Sequence, residues 1–138
     1  MIDFSYQTKF ELSAEKEVSK WIGDIIKAEG FAEGTIEYVF CDDEYLLNIN
    51  KEFLDHDTLT DIISFDYSIG KQVHGEIYIS VERVAENALK YECESIDELH
   101  RVIIHGVLHY CGYKDKTEAG AKEMRNKEND ALKQRSFN

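Results

Sequence analysis

The stretch from Leu99 to Leu108 constrains the fold most. Leu99, Val102, Ile103, Ile104, Val107 and Leu108 make a helix here apolar over much of its circumference. Such a helix must be covered on several sides, so it belongs at the centre of the molecule. Ser95-Ile96-Asp97-Glu98 reads as a capping box that opens it, and Gly112, which tolerates the left-handed conformation, closes it. The predicted helix therefore spans 95–111. Arg101, His105 and His109 recur at steps of four, a polar stripe that has to reach a cleft.

Residues four apart on a helix lie on one face with Cβ atoms about 5–6 Å from each other. Two imidazoles so placed converge on one ion. A chain folded back at Gly112 brings Asp115 toward them. Two imidazoles and a carboxylate leave a coordination position for water, as catalytic zinc sites do and closed structural sites do not. The alternative is a core helix whose histidines are satisfied by hydrogen bonds. A zincin-type protease is excluded at one residue, because Gly106 stands where its His-Glu-x-x-His motif carries the general base. Cys111 points about 200° away from His109 around the helix and reads as core rather than ligand.

The rest of the pattern is a mixture of periods. Ile2, Phe4 and Tyr6 alternate as a strand, and a helix capped at Ser13 carries Val18, Trp21, Ile22, Ile25 and Ile26 to a stop at Gly30. Thr35 to Phe40 is a strand, followed by a helix capped at Asp42. Leu54 to Thr60 is a polar loop leading into a hairpin, Ile62–Tyr67 and Val73–Ser80, turned at Gly70. Val81 to Glu92 is helical, and a last helix runs from about Lys116 to Lys133. This irregular alternation predicts one α+β domain over residues 1–138, a mixed sheet of about four strands packed with about five helices, the histidine helix central.

Three cysteines without a Cys-x-x-Cys spacing argue for a reducing compartment. No basic leader precedes an apolar run and no segment reaches a membrane span, so the expected setting is the cytoplasm, away from any membrane. The net charge of −12 is awkward for a nucleic-acid enzyme. Its distribution is uneven. Of 16 Lys/Arg and 28 Asp/Glu, seven and five lie in residues 114–138, so the only net-basic stretch begins beside the proposed metal. A bound divalent cation adds further positive charge. Lys122, Arg125 and Lys127 taken alone fit the solvated face of the last helix.

The run from His105 to Tyr113 resembles the signature of the YbeY-type endoribonucleases, His-Gly-x-Leu-His-x-x-Gly-Tyr-Asp-His. Lys114 stands where that family usually has Asp, and Asp115 where it usually has a third histidine ligand. Asp57-Thr58-Leu59-Thr60-Asp61-Ile62-Ile63-Ser64-Phe65 is similar to the family's second segment, with Leu59 in place of proline, and Gly75-Glu76-Ile77 to its Gly-Asp-Ile. Leu54 occupies the place of a family arginine that handles phosphate. The resemblance extends over nearly the whole chain. It implies the same α+β architecture, with the Leu54–Thr60 loop and the histidine helix on opposite walls of one cleft.

By that resemblance the chain is a zinc-dependent endoribonuclease specific for single-stranded RNA, acting in ribosomal RNA maturation and ribosome quality control. His105, His109 and Asp115 hold one Zn²⁺, and His56, Asp61 and Ser64 are the catalytic candidates on the facing wall, beside Asp57. Arg101, Lys114 and Lys116 are the candidate phosphate contacts in place of the missing arginine. Each facing-wall residue also has a plainer reading: Asp57 and Thr58 suit a turn, Thr60 and Asp61 strand entry, and Ser64 the polar face of a half-buried strand. Two other functions keep the same triad. One is a ribosome-assembly factor with a structural metal, binding RNA or a ribosomal protein; the other is a metal hydrolase of small phosphorylated substrates.

Overall fold

The computed structural model describes residues 1–54 and 59–137. Within them the chain runs β1 (Ile2–Tyr6), α1 (Glu15–Ala28), β2 (Ala32–Cys41), α2 (Asp43–Leu54), β3 (Ile62–Asp66), β4 (Gln72–Ser80), α3 (Val81–Lys90), α4 (Ser95–Tyr110) and α5 (Glu118–Lys133). The sheet order is β1-β2-β4-β3. β1, β2 and β4 are parallel, joined by the long connections that parallel pairing demands, and β3 closes the edge as the antiparallel arm of a hairpin with β4. The expected mixed α+β architecture is therefore the one formed. No described helix is long and apolar enough to cross a membrane.

Period-two alternation sorts the strand residues between two faces. Ile36, Tyr38 and Phe40 of β2 and Val73, Ile77 and Ile79 of β4 are buried in the main core with α1 and α4, whereas Cys41, Leu46 and Ile63 form a smaller cluster beneath α2. The helix that is apolar nearly all round does lie at the centre: α4 contacts α1, α3, α5, β3 and β4. Its approach to the sheet depends on Gly106. A Cβ there would come within 3.0 Å of Ile77 Cδ1 and 3.1 Å of Ile62 Cδ1. The residue that rules out a zincin motif is thus the one that seats the histidine helix on the strands.

Several boundaries differ from those expected. Ser13 does not cap α1; Ala14, in the left-handed region at φ 59°, precedes the helix, and Tyr6 anchors the turn by hydrogen bonding to Glu15 and to the Leu12 amide. Ser95 is the first residue of α4 and no side chain caps it. The capping box fails because the Glu98 carboxylate is drawn sideways into the protein, facing Arg101 and Cys93. α3 stops at Lys90. α5 starts at Glu118, where Thr117 accepts a hydrogen bond from the Gly120 amide at 2.9 Å. Asp42 caps α2 as expected, accepting from the Tyr45 amide.

Candidate metal centre

Helix α4 delivers both imidazoles from one face, and the turn that follows delivers the carboxylate. Gly112, at φ +99°, reverses the chain. The Tyr113 amide donates to the Leu108 carbonyl at 3.1 Å and the Gly112 amide to the His109 carbonyl at 3.0 Å, the paired bonds of a Schellman stop. Asp115 is thereby carried back over the last turn. Its Oδ2 lies 3.3 Å from His105 Nε2 and 3.6 Å from His109 Nε2, and the two Nε2 atoms are 3.0 Å apart. Among the described residues this is the group of donors that could hold a metal ion.

The second nitrogen of each ring fixes its tautomer. His105 Nδ1 is 2.6 Å from Glu128 Oε2, and His109 Nδ1 is 2.9 Å from the Tyr113 carbonyl oxygen. Both acceptors call for a proton on Nδ1, which leaves both Nε2 atoms as bare lone pairs pointing at each other and at a carboxylate. Three acceptors so close repel unless a cation lies among them. Imidazoles backed by a carboxylate and a backbone carbonyl are the usual outer arrangement of metal-binding histidines. The donor set therefore fits a divalent ion of zinc type. It is also open, for His105, His109 and Asp115 are 21 %, 31 % and 38 % exposed.

Electrostatics of the three groups follow from this arrangement. Burial alone would lower the His105 pKa, but the Glu128 hydrogen bond and charge, with Asp115 and Asp61, outweigh it and raise it. His109 is lowered by burial and by the neighbouring His105. Glu128 is held below the usual carboxylate range despite its burial, because His105 and Arg101 both bond it.

A cleft of about 250 Å³ opens beside the centre, with His105 and Asp115 on its wall. Asp61 and Ile62 enter the lining from the start of β3. Burial pushes the Asp61 carboxyl up, and the charge of His105 partly offsets that shift. Its oxygen accepts from Asn87 Nδ2 at 3.5 Å. Ser64 is exposed on β3, shares the sheet face of Ile62, and is not part of the cleft wall. His56, with Asp57 and Thr58, lies outside the described residues.

The three basic candidates separate. Arg101 lines the cleft, yet its guanidinium is held 3.1 Å from Glu128 and 3.9 Å from Glu98, so it already serves two buried carboxylates. Lys114 and Lys116 flank Asp115 on the exposed turn, outside the cleft wall. Sequence reasoning did not find Glu128. Its one trace is a carboxylate on the apolar stripe of α5 between Met124 and Ala131, all three buried.

A mixed sheet covered by a central helix that ends in an open two-histidine, one-carboxylate centre has the build of a metal-dependent hydrolase. The sequence profile of the family described as Endoribonuclease YbeY matches residues 2–136. Proteins named Endoribonuclease YbeY from Flavobacterium psychrophilum and Flavobacterium johnsoniae are 55% and 52% identical to the chain over 133 and 132 residues. Each alignment covers 96% of this chain and 95% of the relative. The solution structure of a Thermotoga maritima protein superposes with a TM-score of 0.69 at 26% identity, covering 96% of this chain and 87% of that one. The chain belongs to the endoribonuclease YbeY family.

Proposed function

We propose that the protein is a zinc-dependent endoribonuclease that cuts single-stranded RNA in the cytoplasm, in ribosomal RNA maturation and ribosome quality control. The convergence of His105 Nε2, His109 Nε2 and Asp115 Oδ2 beside a polar cleft carries this reading. The names of its relatives give the reaction class. A divalent ion bound there supplies Lewis-acid activation of water and of a phosphoryl oxygen.

The chain's own residues do the rest. Glu128 and the Tyr113 carbonyl hold the imidazoles in their binding tautomers. Asp61, in the cleft wall beside the centre with its carboxyl pushed up by burial, is the group assigned to take a proton. His56 and Ser64 are assigned to the RNA side of the reaction by family resemblance alone. Lys114 and Lys116 meet backbone phosphates from the rim, and Arg101 holds Glu128 in place. An open donor set favours catalysis over a purely structural ion.

The test pairs metal content of the purified protein with cleavage of a single-stranded RNA, with His109→Ala as control. Bound zinc and cleavage lost together in the variant are the expected result. A metal-loaded wild type that leaves RNA intact would point instead to an assembly factor.

A further inference from the structure

The cleft beside the centre poses a charge problem. Asp61, Glu98, Asp115 and Glu128 all line it, against the guanidiniums of Arg101 and Arg125. A phosphate entering this wall meets more negative than positive charge, and one of the two arginines cannot answer it. Arg101 is only 22 % exposed and bonds Glu128 at 3.1 Å, so turning it toward a ligand would strip a buried carboxylate of its partner.

Arg125 is different in each respect. It projects from α5 one turn before Glu128, is 57 % exposed, and touches Glu128 only at 3.7 Å. That contact is long and solvent-screened, so it holds the side chain loosely. Glu128 does not depend on it, being bonded already by Arg101 and by His105 at 2.6 Å. Arg125 can therefore swing into the cleft without leaving a buried charge unpaired, while its planar fork matches two phosphate oxygens.

We propose that Arg125 is the phosphate-binding side chain of this cleft, steadying the phosphodiester next to the metal centre from the α5 wall. The inference rests on the nuclease reading for the identity of the ligand, not for the existence of an anion site. Glu128 then has two tasks on one carboxylate, orienting His105 through Oε2 and parking Arg125 near Oε1 until phosphate displaces it.

Adenosine monophosphate is the probe, titrated into the zinc-loaded protein by NMR, with adenosine as the phosphate-free control. Arg125→Gln should weaken adenosine monophosphate by about tenfold, the value of one charge-assisted contact, and leave adenosine and zinc affinity unchanged. Arg125→Lys should recover part of the loss. Undiminished nucleotide affinity in Arg125→Gln, or an equal loss in Lys122→Gln, an exposed lysine of α5 outside the cleft wall, overturns the assignment. Cleavage of single-stranded RNA is scored separately: if wild type cuts nothing while the Arg125 dependence of nucleotide binding holds, the nuclease reading falls and the phosphate site stands.

Discussion

Glu128 Oε2 lies 2.6 Å from His105 Nδ1, although the two residues are 23 positions apart and on different helices. This bond ties the orientation of the His105 ring on α4, and so the direction of its Nε2, to the packing of α5. Glu128→Gln keeps the shape and an acceptor but removes the charge that favours a proton on Nδ1. Zn²⁺ affinity, measured by competition with a chelator, should fall by about tenfold. Glu128→Ala goes further, leaving Arg101 beside Glu98 alone, and should cost about 3 kcal/mol in urea denaturation.

In the proposed centre Asp115 supplies one of the three donor atoms, so its removal should weaken Zn²⁺ more than Glu128→Gln does. Asp115→His should keep the metal and, since a neutral imidazole cancels none of the ion's charge, shift the rise of activity to lower pH. Equal Zn²⁺ affinity in wild type and Asp115→Ala would remove Asp115 from the donor set.

Gly106 sets the distance between α4 and the strands. Alanine there gains about 1 kcal/mol of helix propensity, against a contact some tenths of an ångström too tight with Ile62 and Ile77. Gly106→Ala should therefore stay near wild-type stability. Gly106→Val adds branches with no room to relax and should destabilise by about 2 kcal/mol, read as a lowered midpoint in thermal unfolding.

His100 gives stability a pH dependence of its own. The ring is buried between Trp21 and Phe137, with Nδ1 at 2.8 Å from Arg135 Nη1. Burial, then the charge of Arg135, lower its pKa to about 4, against 6.5 in the unfolded chain. Between those values the unfolded chain binds the extra proton, so this contribution is intact above pH 6.5 and is lost as pH falls toward 4. Between pH 7 and pH 5 it should amount to about 2 kcal/mol. Urea titrations should show a smaller acid loss in His100→Gln than in wild type by that margin; identical losses would remove His100 as the cause.

How much of this was legible beforehand depended on the range of each interaction. His105, His109, Gly112 and Asp115 lie within one turn-and-stop motif, whose geometry follows from helix periodicity and one left-handed residue. Central placement of α4 followed from its apolar circumference. Glu128, Glu98 and Arg125 act through the docking of α5 and α3 on α4, which no local pattern encodes. Glu98 misled in a second way, because the side chain that would complete a capping box is instead used by the cleft. Arg125, read as solvated surface, is indeed exposed, and only the lining of the cleft gives it a ligand to face.

The donor set His105, His109 and Asp115 occupies eleven consecutive residues. An unfolded chain keeps these ligands close together, since short loops close at little entropic expense. Metal then binds the denatured ensemble as well as the native state, and only the difference in affinity adds to stability. What the native fold adds is the outer arrangement from α5, Glu128 behind His105, so zinc should protect the protein against unfolding less than its tightness suggests, and the protection that remains measures how much of the site the fold builds.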